Sequence, residues 1–309
     1  MREVRVTPTE AVEFHRVLAT DHRRIGRGIL AIVLLIGGLQ VFAVALTTGA
    51  AFLDAVSGNT ARGGFTPLTY GAGMLSVALL LPWSRLIQRW LYGLPGGSLS
   101  SVTSRFRWDV LGRSLILVGP AWVIILIVQY WVPLPQTSWG YHDVIGLLVI
   151  TLLIAPLQAA GEEYGFRGLI FQVAGSWSVG RRAGLVLAIA VSSVLFAAIH
   201  VSTSGWLNLW YVVFAVGTGV ISWRTGGIEI AVVLHAVYNT LSFVFDAALH
   251  IDPIATTNRS GSAVGIEALL PGIVIVAVTI VVFLVTRSSG PVVTPADPVD
   301  QRHEGVSVA

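Results

Sequence analysis

Long apolar runs recur along the sequence, and their length limits the fold more than any other feature. The first covers Ile29 to Ala51, and the others lie at about 66–82, 112–132, 144–174, 183–202, 206–223, 228–249 and 264–286. A helix needs about 20 apolar residues to cross a bilayer. Because 54% of the residues are hydrophobic and the mean hydropathy is +0.78, we predict an all-α fold, a polytopic transmembrane helix bundle of about eight spans.

Arginines mark alternate loops and predict how the bundle is oriented. They precede span 1, cluster between spans 2 and 3 and follow spans 4 and 6, whereas the intervening loops carry only Arg62 and Arg259. The positive-inside rule therefore places both termini in the cytoplasm. We expect a multi-pass protein of the cell membrane, and the use of arginine for all 19 basic residues suggests a bacterial source.

The composition also excludes several kinds of chemistry. There is no cysteine, so disulfides, thiolate metal sites and thiol nucleophiles are ruled out. The net charge of +3 is small and its arginines lie in loops, which does not indicate a nucleic-acid partner. The partner that composition does predict is membrane lipid.

The stretch AAGEEYGFRG, residues 159–168, places charge inside the fourth run. An ionisable residue within a span is costly enough to indicate a function by default. On a helix, Glu163 and Arg167 are four residues apart and stack on one face, whereas Glu162 is turned about 100° away and can face a cavity. Two alternatives stay open: an ion pair that only locks two helices together, and a span that ends at Ala160. The apolar continuation GLIFQVAG favours a long helix.

Two later spans add polar side chains in apolar surroundings. LAIAVSSVLFAAIH places Phe196 and His200 on one helical face, and IEIAVVLHAVYNT does the same for His235 and Asn239. Taken alone, each histidine is more often a packed core residue, and the asparagine a polar contact between spans. Found together with two glutamates on three helices, they indicate one site. Their depths, counted at about 1.5 Å per residue, allow them to meet once helix tilt is included.

The ordered motifs EEYGFR, FAAIH and HAVYN fit the patterns EExxxR, FxxxH and HxxxN. In this the sequence resembles the CPBP family of intramembrane proteases, the CAAX protease and bacteriocin-processing (Abi) family. The resemblance covers about residues 143–250 and implies a four-helix catalytic core. It also implies hydrolysis of a peptide bond in a membrane-associated protein or peptide, inside or at the edge of the membrane.

By position in the motifs, the resemblance implies a role for each residue. Glu162 matches the general base, and His200 helps to hold or activate the water. His235 and Asn239 match the third motif, which either completes a metal site or stabilises the oxyanion, and Phe196 begins the second motif. The candidate catalytic residues are Glu162, Glu163, Arg167, His200, His235 and Asn239.

The residue types allow two mechanisms. A carboxylate in a low-dielectric site has its charged form disfavoured, which suits it to take a proton from water, and Asn239 can donate a hydrogen bond to a developing oxyanion. Alternatively, Glu162, His200 and His235 are the ligand set of many hydrolytic zinc sites, with one position left for water. Zn²⁺ or another divalent metal is therefore a candidate cofactor, although HExxH is absent.

Our first hypothesis is an endopeptidase whose catalytic cleft opens toward the cytoplasm. The second is a non-catalytic membrane binder, such as an immunity or scaffold protein that kept the site. The third is a transporter or proton relay, because Glu and His within spans also mark such paths. The absence of paired discontinuous segments weighs against the third.

Composition also predicts the regions that lie outside the core. LPGGSLSS, just after an interfacial helix at 83–91, predicts a flexible linker. The predicted regions are a cytoplasmic N-terminal segment (1–28), an N-terminal transmembrane region of three spans plus the interfacial helix (29–142), the core (143–250), a final loop and span (251–287) and a disordered cytoplasmic tail (288–309).

Overall fold

The computed structural model describes residues 11–20, 23–59, 65–253, 256, 258–261 and 264–295. Within these ranges the chain is helical and forms no strand longer than an isolated bridge. The helices are α1 (Ile25–Val56), α2 (Pro67–Ala78), α3 (Leu80–Tyr92), α4 (Trp108–Gln129), α5 (Tyr141–Glu163), α6 (Phe171–Gly175), α7 (Arg181–Ile199), α8 (Gly205–Thr225), α9 (Glu229–Ala248) and α10 (Gly272–Thr286). A π-helical segment, Tyr164–Ile170, joins α5 to α6.

Eight of the described helical segments are long and apolar enough to cross a membrane, which confirms the predicted all-α, eight-span bundle. α2 and α3 together make one span, and Tyr141–Gly175 makes another. A span ending at Ala160 was therefore the wrong alternative. Large apolar side chains remain outside the packed core, including Leu117 at 78% and Val285 at 74% exposure. Such a surface is stable against lipid and costly in water.

The central helices are α5 and α9, which pack along each other. α2 covers α5 on one side and α4 covers α9 on the other, while α7 and α8 pair and α10 lies against α8. α1 contacts α2 and α3. The four-helix core of α5–α6, α7, α8 and α9 is therefore flanked by the N-terminal helices and by α10.

The expected flexible linker is instead packed into the protein. Its Leu99 and Ser100 are fully buried, and Leu99 lies against Gly168 of the π-helical segment. Nε2 of Gln172 donates to the carbonyl oxygen of Ser98 at 2.8 Å, and Nε2 of Gln88 donates to its hydroxyl at 3.0 Å. These bonds satisfy the loop backbone and the buried amides together, which explains why a Gly- and Ser-rich stretch is ordered here.

Contacts between distant segments connect the arginine-rich loops. Arg107 forms a two-pronged ion pair with buried Glu229, at 2.9 Å from Nε and 2.6 Å from Nη2. The backbone of Thr294 bonds that of Val12 at 2.9 Å, so residues 288–295 are ordered and differ from the predicted disordered tail. Residues 296–309, where the rest of that prediction falls, lie outside the described residues, as do residues 1–10 of the predicted N-terminal segment.

Candidate active site

The backbone around Glu162 is held close to α2. The preceding residue, Gly161, faces the carbonyl of Val77 and the Cα of Ala78 so closely that a Cβ atom would collide with them. A glycine is therefore required where the two helices meet. Immediately after Glu163 the helix widens into the π-helical segment, a form often found at functional sites.

Glu163 and Arg167 form a buried ion pair. Nε of Arg167 lies 3.3 Å from Oε2 of Glu163, and both side chains are completely buried. Nε also donates to the hydroxyl of Thr218 at 3.0 Å. The guanidinium carbon lies 4.1 Å from the ring centre of Phe196 and 5.0 Å from that of Phe214, where the ring faces favour a cation. This is the contact that the four-residue spacing predicts.

Glu162 has different partners from its neighbour. Its Oε1 accepts a hydrogen bond from Nε2 of Gln158, one turn earlier on α5. Oε1 of Gln158 accepts in turn from Nδ2 of Asn239 at 3.0 Å. The second oxygen of Glu162 is buried and has no hydrogen-bond partner among the described residues. One carboxylate oxygen is thus held and the other is available for a reacting molecule.

The two histidines are each held through Nδ1. Nδ1 of His235 lies 2.8 Å from Oε1 of Glu163, and Nδ1 of His200 lies 2.7 Å from the carbonyl oxygen of Phe196. Carbonyl and carboxylate oxygens only accept, so Nδ1 carries the proton in each ring. In the neutral imidazole, Nε2 is then an acceptor. His200 also stacks on Tyr211 with ring centres 4.0 Å apart.

The ring of Phe196 lies against both histidines. Its centre is 4.8 Å from that of His200 and 6.1 Å from that of His235. Aromatic contact therefore brings the end of α7 and the middle of α9 together at the site.

Residues 144–241 match the family model described as Rce1-like, type II CAAX prenyl endopeptidase. The central segment is similar to Rce1-like proteins. No curated protein and no solved structure matches the chain.

The Rce1-like match confirms the family resemblance that the three motifs carry. It falls on α5 to α9, which hold all six candidate residues, and covers less than half of the chain. The family is one of endopeptidases, so the match points to proteolysis as well as to a helical core. The chain is thus a multi-pass membrane protein with an Rce1-like segment.

Within the Rce1-like segment, the structure groups the predicted residues into two linked sets. Glu163 contacts Arg167 and His235, whereas Glu162 reaches Asn239 through Gln158. His200 stands at the end of α7 and packs on the ring of Phe196, which also packs on His235.

The motifs did not identify two neighbours of the site, Gln158 and Tyr211. Gln158 has a signal in the sequence, because an amide in an apolar span stands four residues before Glu162 and so on the same helical face. Tyr211 has none, because it is one of several aromatic residues in α8.

The predicted metal ligands fit zinc in type but not in arrangement. Each histidine has Nδ1 on an oxygen acceptor and Nε2 available, as is usual for metal-bound histidine, and Glu162 has an unpartnered oxygen. Across the described residues, however, no group of three His, Asp or Glu side chains could hold a metal ion.

Proposed function

We propose that this protein is an intramembrane endopeptidase in which Glu162 activates water. The observation that carries the proposal is the state of the Glu162 carboxylate. It is buried within a span, held at one oxygen by Gln158, and unpartnered at the other within the described part of the chain. The match to an endopeptidase family over the same helices supports it.

In the proposed reaction, the unpartnered oxygen of Glu162 accepts a proton from water as the water oxygen bonds to the scissile carbonyl carbon. Asn239 has two N–H groups and gives one to Gln158, so the other is available to the oxyanion. Protonated Glu162 then passes its proton to the amine as the C–N bond breaks. The products are a carboxylic acid and an amine, and Glu162 returns to the carboxylate.

The histidines have an accepting role in this scheme. A water molecule has two O–H groups. Glu162 accepts a hydrogen bond from one of them, and Nε2 of a histidine can accept from the other. With both protons engaged, a lone pair of the water oxygen points toward the substrate carbonyl. Glu163 holds the ring of His235, and Arg167 offsets the charge of Glu163.

The proposed substrate is a peptide bond in a membrane-associated protein or peptide that reaches the site from lipid. Prenylated CAAX proteins are the substrates named for the family, and for this chain they are one candidate within the wider class. We further propose a bacterial cell membrane as the location, with both termini and the opening of the cleft on the cytoplasmic side.

A divalent metal such as Zn²⁺ is the alternative form of the proposal, and it requires Glu162, His200 and His235 to rearrange, because within the described residues they do not form a metal site. When bound, it would supply Lewis-acid activation of water. Elemental analysis of the purified protein, together with cleavage in the presence of a chelator, distinguishes the two forms. Stoichiometric metal and activity lost to chelator and restored by Zn²⁺ would favour the metal form.

The first test replaces the proposed base. Glu162→Ala should lower peptide cleavage by about 10²- to 10⁴-fold, the usual contribution of a general base, while the protein remains folded. The assay uses purified protein in detergent with quenched fluorescent peptides, prenylated and unprenylated. Full activity of the variant would contradict the proposal.

Two further outcomes favour the competing functions. If the wild-type protein cleaves none of the peptides but binds one of them, a binding function replaces the enzyme. If vesicles show solute transport that depends on Glu162, the protease proposal fails and a transporter replaces it.

A further inference from the structure

Gln158 joins the two groups that the reaction uses. We propose that Gln158 is a positioning residue that aligns the base, Glu162, with the oxyanion donor, Asn239; the inference rests on the proposed function. It lies on α5, whereas Asn239 lies on α9, so its amide bridges the two central helices of the core.

The chemistry of the partners determines how the Gln158 amide is turned. An ionised carboxylate only accepts hydrogen bonds, so the amide nitrogen must face Glu162. The amide oxygen then faces Asn239 and can only accept from its N–H. The reversed amide would place oxygen against oxygen at Glu162 and nitrogen against nitrogen at Asn239. The bridge therefore has one favourable orientation.

Burial makes this orientation persistent. Gln158 is only 8% exposed, and a polar group without partners in such a place costs about 1–3 kcal/mol. Water has little access to replace the buried bond to Glu162. The amide thus holds both site residues in one alignment before substrate binds, which reduces the reorganisation that the reaction requires.

The alignment leaves one reactive atom free on each side. With Oε1 of Glu162 bound to the amide, Oε2 is the oxygen without a partner in the described ranges. With one N–H of Asn239 bound to the amide, the second N–H remains for the oxyanion. Gln158 touches neither water nor substrate in this scheme and acts through its two neighbours.

Gln172 provides a matched control in the same span. It is also a buried glutamine, but its amide bonds the Ser98 carbonyl and Gln88, away from the catalytic residues. A methionine is unbranched and close to glutamine in size. Gln158→Met and Gln172→Met therefore remove comparable buried bonds, and only the first removes contacts to the site.

The experiment measures kcat, KM and the unfolding midpoint of both variants with the peptide that the wild type cleaves best. We expect Gln158→Met to lower kcat by about 10- to 100-fold, as for other groups that orient a reacting side chain, with KM within about twofold of wild type. Gln172→Met should lower the unfolding midpoint at least as much as Gln158→Met does, and it should keep the wild-type kcat. Gln158→Glu, which keeps the size and an acceptor but cannot donate when ionised, should also lose kcat and serves if Gln158→Met does not fold.

A double variant tests whether Gln158 acts through its neighbour. Because Gln158 and Asn239 share one hydrogen bond, Gln158→Met combined with Asn239→Ala should lower kcat by less than the product of the two single losses. Single losses that multiply in full would overturn the inference, as would wild-type kcat in Gln158→Met beside an inactive Glu162→Ala. An active Glu162→Ala, or a wild type that cleaves nothing, would instead overturn the proposed function and this inference with it.

Discussion

Glu162 and Glu163 are neighbours in the chain with separate partners in the structure. Glu163 is fully buried between Arg167 and His235, whereas Glu162 contacts an amide and keeps one oxygen unpartnered within the described chain. The difference follows from the turn of about 100° between successive helical residues. One glutamate makes a buried cation tolerable and the other is available for chemistry.

This separation predicts that two adjacent substitutions reduce the stability of the protein to different extents. Glu163→Ala leaves Arg167 charged and buried without its carboxylate, which should reduce the free energy of unfolding by about 3–5 kcal/mol. Glu162→Ala removes no ion pair and should have a much smaller effect on it. Denaturant unfolding of both variants in detergent, followed by tryptophan fluorescence, measures the difference. Equal losses of stability would show that the two residues do not divide these roles.

At the scale of the helix, two features at the C-terminal end of α5 fix the position of Glu162: a close contact with α2 and the π-helical segment that follows. Gly161 allows α2 to approach within backbone contact. The π-helical segment that follows carries Arg167 and packs against the loop at Leu99 through Gly168. The position of Glu162 is therefore set by packing on both sides of it.

Gly161→Ala tests the role of this contact. Its Cβ would meet the Val77 carbonyl and the Ala78 backbone, which cannot rotate away, and such overpacking costs about 1–3 kcal/mol. We expect a lower unfolding midpoint and a lower kcat, because Glu162 is the next residue. Gly73→Ala, in α2 with open space around it, should be neutral or stabilising by about 0.5–1 kcal/mol. A Gly161→Ala variant as stable and active as the control would contradict this role.

On the scale of the whole molecule, the arginine-rich loops stabilise the packing of the helices as well as carrying the charge pattern that predicts orientation. Arg107 is paired with Glu229, and Arg16 donates to the Gly175 carbonyl at 2.9 Å. These contacts connect the ends of α6 and α9 to segments that are distant in sequence. The same side therefore carries the charge bias on which the proposed orientation rests and bonds that hold its helices together.

The proposed orientation can be tested with single cysteines, since the chain has none of its own. Val179 lies between α6 and α7 on the arginine-rich side, and Pro133 lies between α4 and α5 on the other. In whole bacterial cells, a membrane-impermeant maleimide should label Pro133→Cys at once and Val179→Cys only after the membrane is opened. Both positions are exposed, so access to the reagent depends on the membrane alone. The reverse labelling would place both termini outside.

The sequence by itself determined the membrane class, the eight spans and the pairing of Glu163 with Arg167. These properties depend on run length and on spacing within one helix, which are local. The family resemblance also followed from local motifs. The linker at Leu99 and the segment at Thr294 were misread, because their order comes from contacts with remote parts of the chain.

Only the tertiary structure decided which polar side chains meet. Spacing places His235 and Asn239 on one face of α9, but it does not state that His235 reaches Glu163 while Asn239 reaches Gln158. Those pairings depend on the axial register and tilt of α9 against α5, which packing of whole helix faces sets. The adjacent glutamates of AAGEEYGFRG therefore indicated a site, and the contact between α5 and α9 decided which partners each carboxylate has.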